Sequence, residues 1–390
     1  MYDSFKRRAG SGMVLALVAA VAACDSPSET AVAPDFAVTG WERTSFDVYS
    51  QNLFLGGDTG PLFNPAVISN PVALIGAVNT FWDDVGDSEV TARMAEIADE
   101  IGRQNPEVVG VQEALQFVTL NASFQPDGGG YVDLLAALQG AIAAKGLPYE
   151  LAVAQATTSS ALPMAIDFTA TPPQVTRYLG FTDRVAVFKR TDVTVTDQAS
   201  STYAAAIPLA PGVDIKRGWI RLTVEHEGVA HHFVNTHLET QGVRPVHDGQ
   251  AFELMNVVLA GLDGVTVLVG DLNSDAEAVD GDPSWTPTYG SLIGAGFADL
   301  WELSPHSRND RGFTCCQDPS LRNATSELDE RIDFVLVRSS DGPIPSEGEK
   351  KGHFRADVVG DRSSDLTANG VWPSDHAGLV GRILKAQAED

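Results

Sequence analysis

The chain has 390 residues, 44% of them hydrophobic and 20% charged, a composition that excludes a disordered chain and indicates a globular one. A formal net charge of −26 argues against tight, non-specific binding to nucleic-acid backbones. It leaves room for chemistry on a phosphate at a single metal-neutralised site.

The chain opens with Lys6, Arg7 and Arg8 before the apolar run MVLALVAAVAAC, Met13 to Cys24. The run is short for a bilayer span, and its basic flank fits a secretory signal. Ala22 and Ala23 before Cys24 resemble a bacterial lipoprotein cleavage box, which implies lipidation of Cys24; an ordinary export signal cut nearby is the alternative. The expected division is a signal over residues 1–23, a flexible tether over 24–42, and a single domain over 43–390. The protein is then expected to be exported and lipid-anchored to a bacterial membrane, either periplasmic or at the cell surface. The only other cysteines are the adjacent pair Cys315 and Cys316, and without a CxxC spacing a structural zinc site is disfavoured.

Ser45 to Leu53 reads as a strand opening into a loop. Gly56 to Asp87 reads as a long loop. Ser88 to Asn105 places Val90, Met94, Ile97 and Ile101 on one helical stripe, with Ser88 as cap and Pro106 as stop. Glu107 to Glu113 is a buried strand ending in an acid, and a helix is expected from Tyr131 to Lys145. Further strands are expected over Tyr149–Ala154, Arg184–Lys189, Trp219–Glu225, Ala230–Thr236, Val265–Gly270, Ile332–Val337 and Ala377–Ile383. A helix is expected over Ala251–Leu262, and long loops over Thr157–Tyr178 and Pro343–Trp372. Many strands with few helices in mixed order predict an α+β protein, two packed sheets with helices outside.

Several of these strands run from apolar residues straight into acid, amide or imidazole. SQN ends at Asn52, VQE at Glu113, VNTHLE carries His237, VGDLN carries Asp271 and Asn273, RIDFVLV carries Asp333, and WPSDH carries Asp375 and His376. Ionised groups at buried strand ends need partners. Their recurrence predicts that the ends converge on a divalent cation, and oxygen donors of this kind suit Mg²⁺, Mn²⁺ or Ca²⁺. Asp271 and Asn273, two apart on an extended chain, face the same side. One is suited to position or activate a water, the other to donate to a developing oxyanion.

NTHL, GDLN, RIDF and SDH, in this order, resemble the endonuclease/exonuclease/phosphatase family, the pancreatic-deoxyribonuclease-like fold. That resemblance implies a four-layer sandwich with two central sheets flanked by helices. It implies that Glu113 is the main metal ligand, with Asn52 and Asp375 completing or approaching the metal shell. His376 would be the catalytic histidine, oriented by Asp333. Asp271 and Asn273 would position the attacking water and stabilise the pentavalent phosphate, and His237 would contact the phosphate. Arg184 in TDRVAVFKR resembles the phosphate-contacting basic position, and Thr314 the family's threonine upstream of the Asp333 motif. The Cys315–Cys316 pair and the insert after it depart from the general family pattern.

The expected activity is hydrolysis of a phosphate ester by a nuclease, phosphatase or phosphodiesterase requiring Mg²⁺, Mn²⁺ or Ca²⁺. Substrates in range are nucleic acid, a phospholipid head group or a small phosphate ester; no protein partner is implied. The competing expectation is a non-catalytic surface-binding lipoprotein on the same scaffold, whose sign would be loss of Glu113, Asp271 or His376. All three are present.

Overall fold

Runs of β-branched and aromatic residues bounded by turn formers become strands here, including those expected at Tyr149, Arg184, Trp219, Ala230, Val265, Ile332 and Ala377. The computed structural model describes residues 46–210, 213–226, 228–304, 311–342, 344 and 354–383. The expected signal, the tether and Cys24 lie outside the described residues. In chain order, β1 (Phe46–Asn52), β2 (Val108–Gln112), β3 (Gln116–Asn121), β4 (Pro126–Asp133), β5 (Tyr149–Asp167) and β6 (Gln174–Arg190) enter one sheet. β7 (Thr194–Thr202) begins a second, while β8 (Ile207–Ala210) and β9 (Val213–Ile215) pair separately. β10 (Gly218–His226), β11 (Val229–His237), β12 (Val265–Asp271), β13 (Ala298–Asp299) and β14 (Asp333–Ser339) complete the second sheet. β15 (Phe354–Val359) and β16 (Gly378–Ile383) return to the first.

Both sheets are mixed. β1 lies between β2, to which it is parallel, and β16, to which it is antiparallel. In the second sheet β12 is parallel to β11 and antiparallel to β14. The sheets pack face to face through Val48, Val108 and Val187 on one side and Ile220, Phe233, Val267 and Val335 on the other. Successive side chains in a strand point to opposite faces. Tyr49, Val109 and Phe188 therefore point outward and are covered by Val78, Met94, Ile97 and Leu138 of three helices, Pro71–Asp87, Val90–Gln104 and Leu134–Ala144. Val234, Leu268 and Leu336 of the second sheet pack under Leu254, Val258 and Leu292. Two facing sheets with helices outside each form the expected α+β sandwich. Met94 is fully buried at this helix–sheet seam, and Met94→Ala would cost about 2–5 kcal/mol through the cavity left behind.

The differences from expectation are local. Much of the expected loop Gly56–Asp87 is helix: Pro71 sits in its first turn, and Asn70 caps it by accepting from the Val72 and Ala73 N–H groups at 3.1 and 3.2 Å. Ser88 closes that helix rather than opening the next, its hydroxyl donating to the Val85 carbonyl at 2.9 Å. The helix expected from Tyr131 starts at Leu134, because Asp133 accepts from the Ala136 N–H at 3.0 Å and caps it there. The expected loop Thr157–Tyr178 is mostly the far part of the β5–β6 ribbon. The helix expected over Ala251–Leu262 begins earlier, at Arg244, and ends in a π-turn over Leu254–Val258. β15 occupies part of the expected loop Pro343–Trp372.

Candidate active site

Parallel neighbours end at the same edge of a sheet, and an antiparallel neighbour begins there. Asn52, His237 and Asp271 are the last residues of β1, β11 and β12, and Glu113 follows directly on β2. The register sets Asp333, the first residue of β14, opposite Asp271, and His237 opposite Asp271 on the other side. His376 lies just ahead of β16. Asn52 closes the edge across the sheets, donating from Nδ2 to Asp271 Oδ2 at 3.1 Å. Gly270 makes this approach feasible: its φ is +136°, and a Cβ there would overlap the Thr236 carbonyl oxygen.

His376 Nδ1 is 2.8 Å from Asp333 Oδ2. Asp333 is held in turn, its backbone N–H donating to Thr314 Oγ1 at 3.1 Å. The His376 N–H donates to Ser374 Oγ at 3.1 Å, and the Ser374 hydroxyl donates to the Asn52 carbonyl at 2.7 Å. Asp271 Oδ1 accepts from the Asn273 N–H at 2.9 Å, an Asx turn that puts Asn273 in the left-handed region with φ of 46°. The Asn273 amide donates to the Leu238 carbonyl at 2.9 Å. Asp271 Oδ2 is 3.4 Å from His237 Nε2 and 3.9 Å from His376 Nε2. One carboxylate oxygen each from Asp271 and Asp333 and a ring nitrogen of His376 lie within 4.8 Å of one another.

Glu113 Oε2 accepts from the Leu55 N–H at 2.9 Å. Burial pushes the Glu113 carboxyl up; Arg217 and His376 pull it down, and Asp183 and Asp271 push it further up. Burial raises Asp375 to about 7, with Glu113 adding to the rise. Burial and the neighbouring Asp333 raise Asp271 to about 7. Burial pulls His376 down, but Asp333, Asp375 and Asp271 outweigh it and hold the imidazole well above its ordinary value. Burial, Arg217 and His376 hold His237 well below its own. Glu113 and His376 are thus close enough for the charge of one to act on the other.

Arg184 directs its guanidinium elsewhere: Nε donates to the Ala114 carbonyl at 2.7 Å and Nη2 to Asp133 Oδ1 at 2.6 Å. Among the described residues, the guanidinium that touches His237 is that of Arg217, 3.2 Å from Nδ1. Sequence reasoning misses Arg217; its signal is a cation immediately before Gly218 and β10, the strand paired with NTHL. Arg93 is missed too, although it falls within the apolar stripe of its helix. It is fully buried and donates to the carbonyls of Leu53 at 2.9 Å, Ser88 at 2.8 Å and Pro373 at 3.1 Å. It thereby ties the turn after Asn52 to the turn before Asp375. Asn235 of NTHL joins the sheets, donating to the Val111 and Ala186 carbonyls at 3.1 and 3.0 Å. Cys315 and Cys316 are joined as a disulfide beside His376.

Two facing mixed sheets thus carry an acid–imidazole cluster at their shared edge. Residues 78–376 match the endonuclease/exonuclease/phosphatase family, and the chain belongs to it. Members of this family are hydrolases acting on phosphate esters. The fold is similar to that of an endonuclease/exonuclease/phosphatase family protein from Leptotrichia buccalis C-1013-b, with a TM-score of 0.51 and 13% identity over 87% of this chain and 99% of the other. It is also similar to an endonuclease/exonuclease/phosphatase from Beutenbergia cavernae DSM 12333, with a TM-score of 0.50 and 20% identity over 87% of this chain and 71% of the other. At these identities the likeness is one of fold. No curated protein matches the chain.

Proposed function

We propose that the protein is an exported, lipid-anchored phosphoesterase that requires a divalent cation and cleaves its ester by in-line attack of water. The observation that carries this reading is the Asp333–His376 pair facing Asp271 in the pocket that also holds Glu113. The donor set fits a cation: Glu113, Asp271, Asp333 and Asp375 crowd together against the guanidinium groups of Arg217 and Arg93, so burial leaves negative charge uncompensated. All-oxygen donors suit Mg²⁺, Mn²⁺ or Ca²⁺. Glu113 and Asp375 would hold the ion, with Asn52 beside them; Asp333 is engaged by His376. When bound, the ion supplies polarisation of the phosphoryl oxygens.

In this reading Asp271 orients the attacking water and takes its proton, a task suited to a carboxyl raised to about 7. His376, kept in place by Asp333, faces the developing charge on the phosphorus-bound oxygens. His237 and Asn273 donate to those oxygens. Substrates consistent with the site are nucleic acid, a phospholipid head group or a small phosphate ester. Export and anchoring rest on Lys6–Arg8, the apolar run and Cys24. Among the described residues no helix is long and apolar enough to cross a membrane.

The test uses the full chain with bis-(p-nitrophenyl) phosphate, a plasmid and phospholipid vesicles, with Mg²⁺, Mn²⁺ or EDTA. EDTA-sensitive turnover that disappears in His376→Ala supports the reading. A broad phosphate panel left untouched by the metal-loaded protein favours the non-catalytic binder instead. Lipid on Cys24 is checked by the mass of the mature protein.

A further inference from the structure

A guanidinium carries its donors in a rigid planar fork, so it can hold several acceptors at set spacings. Arg93, fully buried on the helix Val90–Gln104, turns that fork on main-chain carbonyls. Nε donates to Ser88 at 2.8 Å, Nη1 to Leu53 at 2.9 Å and to Pro373 at 3.1 Å, and Nη2 to Phe54 at 3.3 Å. Leu53 and Phe54 form the turn that leaves β1, and Pro373 lies in the turn that leads to β16. These two turns carry the groups assigned above to the ion. The Phe54 N–H donates to Asn52 Oδ1 at 3.0 Å, and the Leu55 N–H donates to Glu113 Oε2 at 2.9 Å. Pro373 stands two residues ahead of Asp375, and Ser374 between them donates its hydroxyl to the Asn52 carbonyl at 2.7 Å. Phe54 is in the left-handed region with φ of 57°, a conformation that a bulky residue seldom keeps unless its neighbours hold it. Arg93 holds it twice, through the carbonyl and by stacking its guanidinium carbon 5.6 Å from the ring centre.

We propose that Arg93 is a positioning residue for the divalent cation: by joining the two turns it sets the placement of Asn52 and Glu113 relative to Asp375 before the ion arrives. This rests on the reading that gives those three residues to the ion. A guanidinium has no lone pair to offer a metal, so Arg93 acts only through the backbone it joins. Ligands already spaced for the ion spare its binding the cost of ordering them, and groups that orient metal ligands in this way govern affinity. Lysine keeps the charge but gathers its donors on one atom, and so does not span both turns and the Ser88 carbonyl. The fork, and not the charge alone, is what the site uses.

The test is the Kd for Mn²⁺, measured by titration calorimetry on the full chain and on its Arg93→Lys and Arg93→Gln variants. Both variants should bind Mn²⁺ roughly 10- to 100-fold more weakly. At saturating Mn²⁺ their kcat on bis-(p-nitrophenyl) phosphate should return close to the wild-type value, because the effect is spent on seating the ion. A kcat that stays low at saturating Mn²⁺ places Arg93 elsewhere in the reaction and overturns the proposal. The wild-type chain supplies a check that does not depend on how the variants fold. Its amides at Leu53, Phe54, Leu55 and Ser374 should be equally protected from hydrogen exchange with and without Mn²⁺. Protection that arises only when Mn²⁺ is added shows that the ion orders the turns, and overturns the proposal. A wild-type chain that takes up no Mn²⁺ sinks the metal-dependent reading and this inference together, whereas wild-type binding that Arg93→Lys leaves unchanged removes the inference alone.

Discussion

His376 and His237 face the same oxygen of Asp271, at 3.9 and 3.4 Å, yet they are backed by opposite charges. Behind His376 stands the carboxylate of Asp333, 2.8 Å from Nδ1; behind His237 stands the guanidinium of Arg217, 3.2 Å from the same ring position. The first arrangement favours imidazolium and the second a neutral ring. One residue type thus acquires two chemistries within a single pocket, because the backing group rather than the ring sets the proton inventory. The lesson is that a histidine in a motif has no defined role until the group at its other nitrogen is known.

The largest expected effect breaks one side of this pair. His376→Ala should lower turnover of an activated phosphodiester by roughly 10²- to 10⁴-fold, read as kcat under saturating metal. Asp333→Asn keeps the shape but loses the charge behind His376, and should cost about 100-fold or more in kcat; a loss of only a few-fold would show that the charge behind the ring does not matter and undo the contrast. Gly270→Ala attacks the strand approach that centres Asp271 between the rings. It should destabilise the fold by about 3 kcal/mol or more, seen as a lower denaturant midpoint.

The smallest expected effect lies at the other end of β1, where Asp47 provides a control remote from both histidines. Burial and Glu107 raise its carboxyl from 3.8 to about 6, against the pull of Arg382. The folded chain therefore holds this proton more tightly than the unfolded chain does. Stability falls as pH rises through the interval from about 4 to about 6, by at most roughly 3 kcal/mol. Asp47→Asn should reduce the slope over that interval, to which Asp271 and Asp375, raised to about 7, add their own part, while leaving turnover unchanged. A curve with the same slope in the variant would move the effect to another group.

Much of the pocket was legible because strand periodicity and polar tips coincide in sequence. The runs ending at Asn52, Glu113, His237 and Asp271, and the run beginning at Asp333, each announce an apolar segment with a polar end, and the parallel register does the rest. Arg217 was not legible in this way. Its neighbour in space is set by the antiparallel pairing of β10 with β11, and its one local mark, a cation just before Gly218, has meaning only once that pairing is known. Arg184 illustrates the converse, a basic residue in a suggestive context whose charge is taken by Asp133. The far part of the β5–β6 ribbon, Thr157 to Tyr178, reads as loop because it is rich in Ser, Thr and Pro. Pairing along its length, rather than burial, makes it a strand. The helix over Pro71–Asp87 was within reach: Asn70, Pro71 and the spacing of Val78, Phe81 and Val85 form a complete helical signature.

β1 lies between β2 and β16, so the first described strand takes a neighbour from the far end of the chain. A nascent polypeptide that stops short of Gly378 already carries Asn52, Glu113, His237, Asp271 and Asp333, but β1 has one flank open and His376 has no strand to follow. Assembly of the pocket therefore waits for β16 to leave the ribosome. In the proposed enzyme, the power to cut phosphate esters would be withheld until that strand can lie against β1.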